Sequence, residues 1–357
     1  MKQGWEYKKF EACINKTPKP KQVKTEEYNS GTKYPIVSQE DKLISGYYDD
    51  ESYVFHIDSP VVIFGDHTRV LKYVDFDFVV GADGVKIISP KQELNAKFLL
   101  YYLQWYKIPN LGYSRHYKLL KELNIPLPPK STQLTIVFEL DKMNELIRLK
   151  KEQLKDFDNL AQSIFYEMFG DPVENEMGWE VKRISNIAKY HNGVAHEKDV
   201  DKDGEFILVN AKFISSEGKI RKKTNIQHFP LFRNDVVMVL SDLPNGKSLA
   251  KCFLIDEDKK YSLNQRICCF RGFEGSAIFL KYVINRNPYL LLFDNGKSQT
   301  NLRKGDVEKM PIPLPPLPLQ HLFAQRIEQI EHQKAEVQKA IADLETLLAS
   351  RMQYWFE

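Results

Sequence analysis

The sequence predicts an α+β protein in which one unit is used twice, each copy being a strand-rich globular part followed by a long helix. Three observations predict this fold class. Short motifs recur in the two halves of the chain, and a proline cluster closes each globular part. A segment nearly free of glycine and proline, at 133–169 and again at 320–356, then carries a 4-3 apolar repeat, which is typical of a long amphipathic helix.

The repetition is visible as three pairs of related segments. Repeats of this size change the predicted fold, because each copy must supply its own core or share one with the other copy. The pairs are GWEYKKF at 4–10 with GWEVKRI at 178–184, FLLYYL at 98–103 with FLKYVI at 279–284, and IPLPPKSTQ at 125–133 with IPLPPLPLQ at 312–320. The offset between partners grows from the first pair to the third, which indicates a few small insertions in the second copy.

The globular parts read mostly as strands separated by turns. Residues 59–74 and 232–255 each have two β-rich runs around a glycine-containing loop, which predicts a hairpin in each half. The loop of the second hairpin is longer. Short helices are expected near Ala96 to Tyr106 and near Ala277 to Ile284.

The two long segments have matching apolar seams, since every seam position of the second lies at one constant offset from its counterpart in the first. We expect the helices to pair with each other as an antiparallel coiled coil around a pseudo-two-fold axis, with Lys150, Lys334 and Arg351 restricting the register. The alternative is that each helix packs separately on its own globular part. The predicted pairing residues are Ile136, Leu140, Ile147, Leu154, Phe157, Ile327, Val337, Ile341, Leu344 and Leu348.

These features predict four successive parts of the chain. We expect a first globular domain at 1–130, a long helix at 131–170, a second globular domain at 171–316 and a second long helix at 317–357.

Composition limits the class of protein. Apolar residues make up 43% and charged residues 28%, as in a folded globular chain, and no apolar run approaches the length of a membrane span, about 18 residues or more. The first residues lack the apolar core of a signal peptide, so we expect a cytoplasmic protein with no membrane partner. Four cysteines without C-x-x-C spacing fit buried thiols better than a zinc site or disulfides.

Motifs for covalent chemistry are missing or incomplete. The two Gly-Lys-Ser tripeptides, at 246–248 and 296–298, lack the glycine that a phosphate-binding loop needs five residues earlier. Residues 287–289 read Asn-Pro-Tyr, which lacks the second proline of an adenine-methyltransferase motif. His191 and His196 are five residues apart, which is the wrong spacing for two ligands on one helix face. We therefore expect no catalytic residue, no metal site and no cofactor bound by this chain.

Charge is distributed unevenly between the parts. The whole chain has 51 basic and 48 acidic residues, but residues 133–169 and 320–357 together hold 9 basic and 13 acidic ones. The remainder therefore has 42 basic and 35 acidic residues. More basic globular parts favour an approach to phosphate, and acidic helices favour protein partners.

In the first half, two loops have side chains suited to DNA. The hairpin tip offers His67, Thr68 and Arg69, and an arginine fork fits a guanine edge. The alternative is a surface hairpin in which Asp66 and Arg69 satisfy each other. The second loop, at 113–118, is basic and hydroxyl-rich and offers Ser114, Arg115, His116 and Lys118.

In the second half, three segments have the same character. The hairpin tip at 244–248 is the counterpart of the first tip, although an ordinary turn would have the same composition. The stretch 263–266 reads as strand, with amides of the kind that read adenine, and one of its polar side chains must face inward. The loop at 298–304 occupies the same place as 113–118. The candidate DNA-binding residues are Asn245, Lys247, Ser248, Asn264, Gln265, Arg266, Gln299, Asn301 and Arg303.

Taken together, these motifs resemble the specificity subunit of type I restriction–modification systems over essentially the whole chain. The resemblance is carried by the two IPLPP–Q–helix units, by MFGDPVENEMGW at 168–179, by IFGDHTR at 63–69 and by DVVMVLSDLPNGKS at 235–248. The second half departs from the GDHTR pattern, so the two half-sites are expected to differ.

The resemblance implies a non-catalytic subunit in which each globular part reads one half of a bipartite double-stranded DNA target. It also implies that the helices set the spacer between the half-sites and dock two methyltransferase subunits, with restriction motor-nuclease subunits completing the complex. S-adenosylmethionine, ATP and magnesium would belong to those partners. Two other classes remain: a two-headed DNA-binding regulator without enzyme partners, and the detached recognition module of a fused restriction–methylation enzyme.

Overall fold

The structure, a computed structural model, describes residues 2, 4–112, 114–196, 198–243, 246–294, 296 and 299–357. The chain divides into two compact units. Unit 1 consists of residues 1–152 and 338–357, and unit 2 consists of residues 153–337.

The elements before the first long helix are short, and most of them are strands. They are β1 Glu6–Lys9, α1 Phe10–Cys13, β2 Gln22–Val23, β3 Tyr34–Val37, β4 Gly46–Tyr48, β5 Val54–Phe55, β6 Val61–Gly65, β7 Leu71–Val74, β8 Phe78–Gly81, β9 Val85–Ile88, α2 Ala96–Tyr106, α3 Tyr117–Lys121 and β10 Asn124–Leu127. The long helix α4 then runs over Lys130–Phe169.

The second half repeats this order with some additions. Its elements are β11 Glu180–Arg183, β12 Lys189–Asn192, β13 Phe206–Val209, α5 Ala211–Ser215, β14 Lys222–Thr224, β15 Val236–Val239, β16 Ser241–Asp242, β17 Cys252–Leu254, β18 Tyr261–Leu263, β19 Ile267–Arg271, α6 Ala277–Ile284, α7 Pro288–Leu291, β20 Thr300–Asn301, α8 Lys304–Glu308 and β21 Pro311–Leu314. The long helix α9 closes the chain over Leu317–Phe356.

Both predicted hairpins are confirmed, and each lies in the middle of its unit. In unit 1, β6 pairs antiparallel with β7 and with β9, and a second sheet has the order β2-β8-β3-β4 with β5 also on β8. In unit 2, β15 lies between β17 and β19 in the sheet β12-β19-β15-β17, beside the sheet β14-β13-β18. The predicted short helices are α2 and α6, with the expected bounds.

The central strands are apolar on both faces because each separates two cores. In β6, Val62 and Phe64 point into one apolar cluster, whereas Val61 and Ile63 point into another. Strand β15 alternates in the same way between two clusters of unit 2. Since alternate side chains of a strand face opposite sides, a strand covered on both faces needs β-branched and other apolar residues throughout.

The two long helices run antiparallel within each unit. In unit 1, Glu139 and Lys151 of α4 contact Arg351 and Glu345 of α9 in reverse order. In unit 2, Asp158 and Met168 of α4 contact Lys334 and Arg326 of α9, which again follow each other in reverse order. The prediction that the helices pair with each other is therefore confirmed.

The predicted seam is the interior face of the pair. Its apolar positions are buried or half-buried in both helices, and the polar ones are half-buried or buried as well. The buried pairing residues are Ile136, Leu140, Ile147, Ile327, Val337 and Ile341, and the half-buried ones are Leu154, Phe157, Leu344 and Leu348.

The ends of the long helices also contribute side chains to the apolar cores of the globular parts. The 4-3 repeat in the sequence does not predict these contacts. The last residue of α9, Phe356, packs on Phe98, Tyr102 and Trp105 of α2 in unit 1. The last turns of α4 pack in unit 2, where Phe165 contacts Phe323 of α9 at 5.7 Å between ring centroids. The long helices therefore both pair with each other and pack on the globular parts.

The glutamine that ends each IPLPP motif has a structural role. The Gln133 side chain accepts a hydrogen bond from the Asn95 amide and donates to the Pro128 carbonyl. Gln320 does the same with the Ser276 amide and the Pro315 carbonyl. Because Asn95 and Ser276 are the N-caps of α2 and α6, the two glutamines join α4 to the start of α2 and α9 to the start of α6.

Within the described residues, no helix is both long and apolar enough to cross a membrane. The four cysteines are buried as free thiols. The same part of the chain brings together no group of three or more histidine, cysteine or acidic side chains that could hold a metal ion.

Candidate nucleic-acid interface

The tip of the first hairpin is a tight turn between β6 and β7. The Arg69 amide donates to the Gly65 carbonyl at 2.7 Å, and Arg69 has a left-handed backbone with φ of 62°. Thr68 at the tip is exposed, and His67 and Arg69 are half-buried. Non-glycine residues with this φ are uncommon, so the turn is held by its surroundings.

Asp66 joins this tip to the second candidate loop. Its buried carboxylate accepts from the Tyr117 amide at 2.7 Å, and its carbonyl accepts from the amide and from Nδ1 of His116 at 2.9 Å. The structure therefore places the predicted loops 65–69 and 114–118 side by side. Arg115 and Lys118 are exposed there, and Ser114 is half-buried.

His116 is a correction to the predicted DNA contacts. Its side chain is fully buried, and besides donating to Asp66 it accepts from the Leu111 amide at 3.0 Å. Because both ring nitrogens are bonded to the protein backbone, His116 organises the loop from inside and cannot reach DNA in this conformation.

Arg69 does not pair with Asp66, which was the alternative for this hairpin. Its guanidinium donates to the Ile108 carbonyl at 3.0 Å, beyond the end of α2. The Asp66 carboxylate lies 3.8 Å from the Lys86 ammonium. The bond to Ile108 uses one of the five N–H donors of the guanidinium, so the arginine fork remains a candidate for base readout.

Gln39 is a residue of this site that sequence reasoning missed. Its side chain accepts from the His67 amide at 3.3 Å and donates to the Asp83 carbonyl at 2.8 Å. Its own carbonyl accepts from the Thr68 hydroxyl at 2.8 Å. Nothing in the sequence near Gln39 indicates this role, because the bonded loop lies 28 residues further along the chain.

The second hairpin has a longer tip, which Asp242 organises. Its carboxylate accepts from the amides of Leu243, Ser248 and Leu249 at 2.8, 2.6 and 3.1 Å. A Cβ on Gly246 would lie 2.1 Å from this carboxylate, so the loop needs glycine there. An aspartate before a Gly-containing loop is a turn signal that could have identified Asp242 from the sequence.

The three candidate segments of unit 2 meet at Leu240. Its amide donates to the Arg266 carbonyl at 3.0 Å, and its carbonyl accepts from the Leu302 amide at 2.8 Å. Beside it, β16 pairs with β20 so that Ser241 lies opposite Asn301. The side-chain amide of Gln299 donates to the Ser241 hydroxyl at 2.7 Å. Residues 240–243, 246–248, 264–266 and 299–303 therefore form one surface.

Of the stretch 263–266, which was predicted as strand, Leu263 ends β18 and Asn264 makes a β-bridge with Val194, whereas residues 265–266 form a turn before β19. Asn264 is only 9% exposed, and its side-chain oxygen accepts from the Arg266 amide at 3.3 Å. It is therefore the inward-facing member of the group, and its prediction as a DNA contact is corrected. Gln265 is half-buried and Arg266 is exposed.

The other candidates of unit 2 are mostly on the surface. Lys247, Gln299, Asn301 and Arg303 are exposed. Ser248 is half-buried, and its hydroxyl lies 2.7 Å from the Ser215 hydroxyl. Asn245 lies outside the described residues.

Equivalent backbone contacts relate the two tips. Arg69 and Ala250 both have left-handed backbones, and the Ala250 amide donates to Val239 as the Arg69 amide donates to Gly65. An arginine links each tip to the end of the following helix, but it lies in the tip in unit 1 and after the helix in unit 2. Arg69 reaches from its tip to the Ile108 carbonyl, whereas Arg286 reaches from beyond α6 to the Lys247 carbonyl.

Each unit thus presents exposed arginine and lysine side chains on loops held by buried side chains, with an exposed hydroxyl in unit 1 and exposed amides in unit 2. Such groups donate hydrogen bonds to phosphates and to base edges. Loops on a rigid scaffold are the usual location of binding residues. Side chains of this kind favour an anionic ligand that accepts hydrogen bonds.

Comparison with known proteins places the chain in a class. The family model of the type I restriction modification DNA specificity domain matches residues 2–156 and, a second time, residues 176–346. The chain therefore belongs to this family, and it contains the domain twice. The resemblance drawn from the repeated motifs is confirmed, as is the prediction of a protein built from DNA-specificity domains.

Individual relatives carry the same description. The chain is 34% identical over 89 residues to the type I restriction enzyme MjaIX specificity subunit of Methanocaldococcus jannaschii, covering 21% of each protein. It is 24% identical over 198 residues to the EcoR124I/EcoR124II specificity subunit of Escherichia coli, which is 50% of this chain and 46% of that one. The alignments thus span about a fifth and about half of these relatives.

The fold agrees over the whole chain. A crystal structure of the type I restriction-modification S subunit of M. genitalium superposes with a TM-score of 0.57 at 14% identity, covering 99% of this chain and 96% of that one. At this identity the likeness shows the shared fold, and it confirms the predicted α+β class with a repeated domain and long helices.

Proposed function

We propose that this chain is the DNA-specificity subunit of a type I restriction–modification complex. Each unit reads one half of a bipartite double-stranded target through its surface of loops. In unit 1 these are residues 65–69 and 114–118, and in unit 2 they are residues 240–248, 264–266 and 299–303. Phosphate contacts by the exposed basic side chains set the position on the duplex, and tip residues read base edges.

One observation supports this proposal above the others. In both units, segments that lie far apart in the sequence are hydrogen-bonded into one surface that exposes arginine and lysine side chains, joined by amides in unit 2. Asp66 joins the segments of unit 1, and Leu240 joins those of unit 2. Since the residues differ between the units, two different half-sites are expected.

The partners and cofactors follow from this function. Two methyltransferase subunits bind along α4 and α9, which also set the spacer between the half-sites, and restriction subunits complete the complex. S-adenosylmethionine, ATP and magnesium are used by those subunits, and the target base is flipped into a methyltransferase pocket. The complex acts on DNA in the cytoplasm. Membership of the specificity-domain family favours this function over a regulator without enzyme partners.

The test is a methylation map of the source organism with and without this gene. We expect one bipartite, adenine-containing motif to lose its methylation when the gene is deleted and to regain it when the gene is restored. An unchanged map, with the protein expressed, would contradict the proposed function. Loss of a motif with a single undivided half would support a different arrangement of the two units.

A further inference from the structure

In unit 1, the tip of the hairpin rests on the segment that follows β3. This brace segment, residues 38–42, is bonded to the tip through Gln39, whose carbonyl and side chain accept from Thr68 and His67. A Cβ on Gly65 would lie 2.9 Å from the Cβ of Gln39. The tip and the brace segment are therefore in close contact, and the glycine of the tip makes that contact possible.

The brace segment of unit 1 is itself anchored by a lysine of the returning strand β7. Lys72 is 6% exposed, and its ammonium donates to the Ser38 carbonyl at 2.8 Å and to the Lys42 carbonyl. Burial lowers the pKa of Lys72, and nearby Glu40 and Asp41 oppose that shift. Burying an ammonium group costs free energy unless it is hydrogen-bonded. The two carbonyls therefore stabilise the buried lysine, and the lysine in turn fixes the position of the brace segment.

Unit 2 contains the same arrangement built from other residues. Its brace segment, residues 211–215, follows β13. The Ser215 hydroxyl lies 2.7 Å from the hydroxyl of Ser248 in the tip, and Lys251, just before β17, donates to the Ser215 carbonyl at 3.1 Å. In both units the strand before the brace segment, β3 or β13, also has a parallel partner.

The likeness is geometric and not a matter of sequence. Residues 38–42 read SQEDK and residues 211–215 read AKFIS. Both nevertheless provide a hydrogen-bond partner for a tip hydroxyl and accept from a lysine at the returning strand, through two carbonyls in unit 1 and one in unit 2. A contact that is rebuilt from different residues at the same place in both units indicates a shared requirement.

We infer that the brace segments are specificity-determining elements, and that Gln39 and Ser215 are positioning residues for the tip loops of unit 1 and unit 2. The inference rests on the proposed function and extends it to residues outside the reading loops. Each brace segment holds its tip loop in one conformation in the absence of DNA, so less conformational entropy is lost on binding. Because the hydrogen-bond donors of the tip loop are then fixed in position, they cannot move to pair with the edge of a wrong base.

The test uses the full complex purified with its partner subunits and duplexes that carry the motif found by methylation mapping. Additional duplexes have one half-site scrambled. We expect Gln39→Ala to lower discrimination, the ratio of the scrambled to the cognate dissociation constant, by about tenfold at one half-site only, which is the usual effect of one or two lost hydrogen bonds. Ser215→Ala lowers discrimination at the other half-site.

Gln227→Ala is the matched control. Gln227 is half-buried in unit 2, and its amide also bonds backbone carbonyls, those of Lys259 and Tyr261, but it does not touch the tip. We expect both ratios to stay at the wild-type value in this variant. Thr68→Val removes a different contact with the brace segment, the bond from the Thr68 hydroxyl to the Gln39 carbonyl, and should lower the same ratio. Thr68→Ser should restore it. Because Gln39→Ala keeps that carbonyl and removes only the side-chain bonds to His67 and Asp83, the two changes together should lower the ratio further than either alone.

The outcomes separate the inference from the function on which it rests. If Gln39→Ala and Ser215→Ala bind with wild-type ratios at both half-sites, the inference is overturned while the DNA-specificity function stands. The inference also fails if each variant lowers both ratios equally, because a brace acts on its own unit only. If the wild-type complex discriminates at neither half-site, the proposed function fails and the inference with it.

Discussion

At the scale of single residues, the candidate surface combines two kinds of polar side chain. Asp66, His116 and Asn264 are buried and bonded to backbone atoms, whereas Arg115, Lys247 and Arg303 are exposed. Burying a polar group without a partner is costly, so the buried set shapes the loops and the exposed set is left to contact a ligand.

Arg69 gives the most direct residue-scale prediction. We expect Arg69→Ala to cost about 1–3 kcal/mol of binding free energy at one half-site, because an arginine fork makes two hydrogen bonds to a guanine edge. Titration of duplexes with single base changes in each half-site measures this effect. An equal loss on every duplex would assign Arg69 to a phosphate instead.

At the scale of elements, the helix seam shows how polar residues fit an apolar interface. Lys334 is 8% exposed and donates to Asp158 at 2.7 Å and to Glu331 at 3.0 Å. Burial lowers its pKa, but the hydrogen bonds to the two carboxylates outweigh that effect and leave the pKa raised. A paired lysine in a seam restricts register, since a shifted helix would leave it buried without a partner.

Near the other end of the pair, Glu139 receives hydrogen bonds from Arg351 and from the Trp355 indole, the latter at 2.9 Å. The bond from Arg351 is the main reason why the pKa of Glu139 is lowered, and burial opposes it. A lowered carboxyl pKa means that the ionised form stabilises the fold. That stabilisation is complete above the ordinary value near 4.5 and is lost as the pH falls through the lowered pKa.

This pH dependence is measurable at the indole itself. We expect the Trp355 indole N–H resonance to titrate with a midpoint below 4.5, and the titration to vanish in Glu139→Gln. Trp179, whose indole donates to the Phe169 carbonyl at 3.0 Å, provides a reference signal that stays constant. A midpoint at or above the ordinary value would show that the bond to Arg351 does not persist in solution.

At the scale of the whole molecule, the repeat in the sequence and the division in space do not coincide. The repeated motif GWE begins again at Gly178, but residues 338–357 belong to unit 1 and the last turns of α4 belong to unit 2. Each unit therefore contains part of both long helices. The predicted boundaries at 130, 170 and 316 describe the order of parts along the chain and stay a prediction.

The spacer function belongs to this scale. Inserting seven residues after Leu154 and another seven after Ile341 keeps the heptad phase and lengthens each helix by about 10 Å. At about 3.4 Å per base pair, we expect the spacer in the methylation motif to grow by about three base pairs while both half-sites stay the same. A methylation map measures the motif, and an unchanged spacer would contradict the proposed role of the helices.

Much of this fold could be predicted because its signals are local or periodic. The long helices follow from a 4-3 repeat, the hairpins from β-branched runs around glycine loops, and α2 and α6 from motifs that recur in both halves. The candidate loops could be located, but the inward-facing residues among them could not. Histidine and asparagine are residue types that can read DNA bases. Only the packing around His116 and Asn264 shows that these two side chains are buried and directed inward.

The sequence by itself determined that this protein is a doubled unit with two different sets of candidate loops and two matched helices. Those features depend on residue order and periodicity, which one chain displays in full. Only the tertiary structure decided that Gln39, Asp66, Ser215 and Leu240 hold the loops, and that Phe356 completes the core of unit 1. These contacts join residues far apart in sequence, and they form because buried polar atoms and apolar surfaces must find partners wherever the fold brings them.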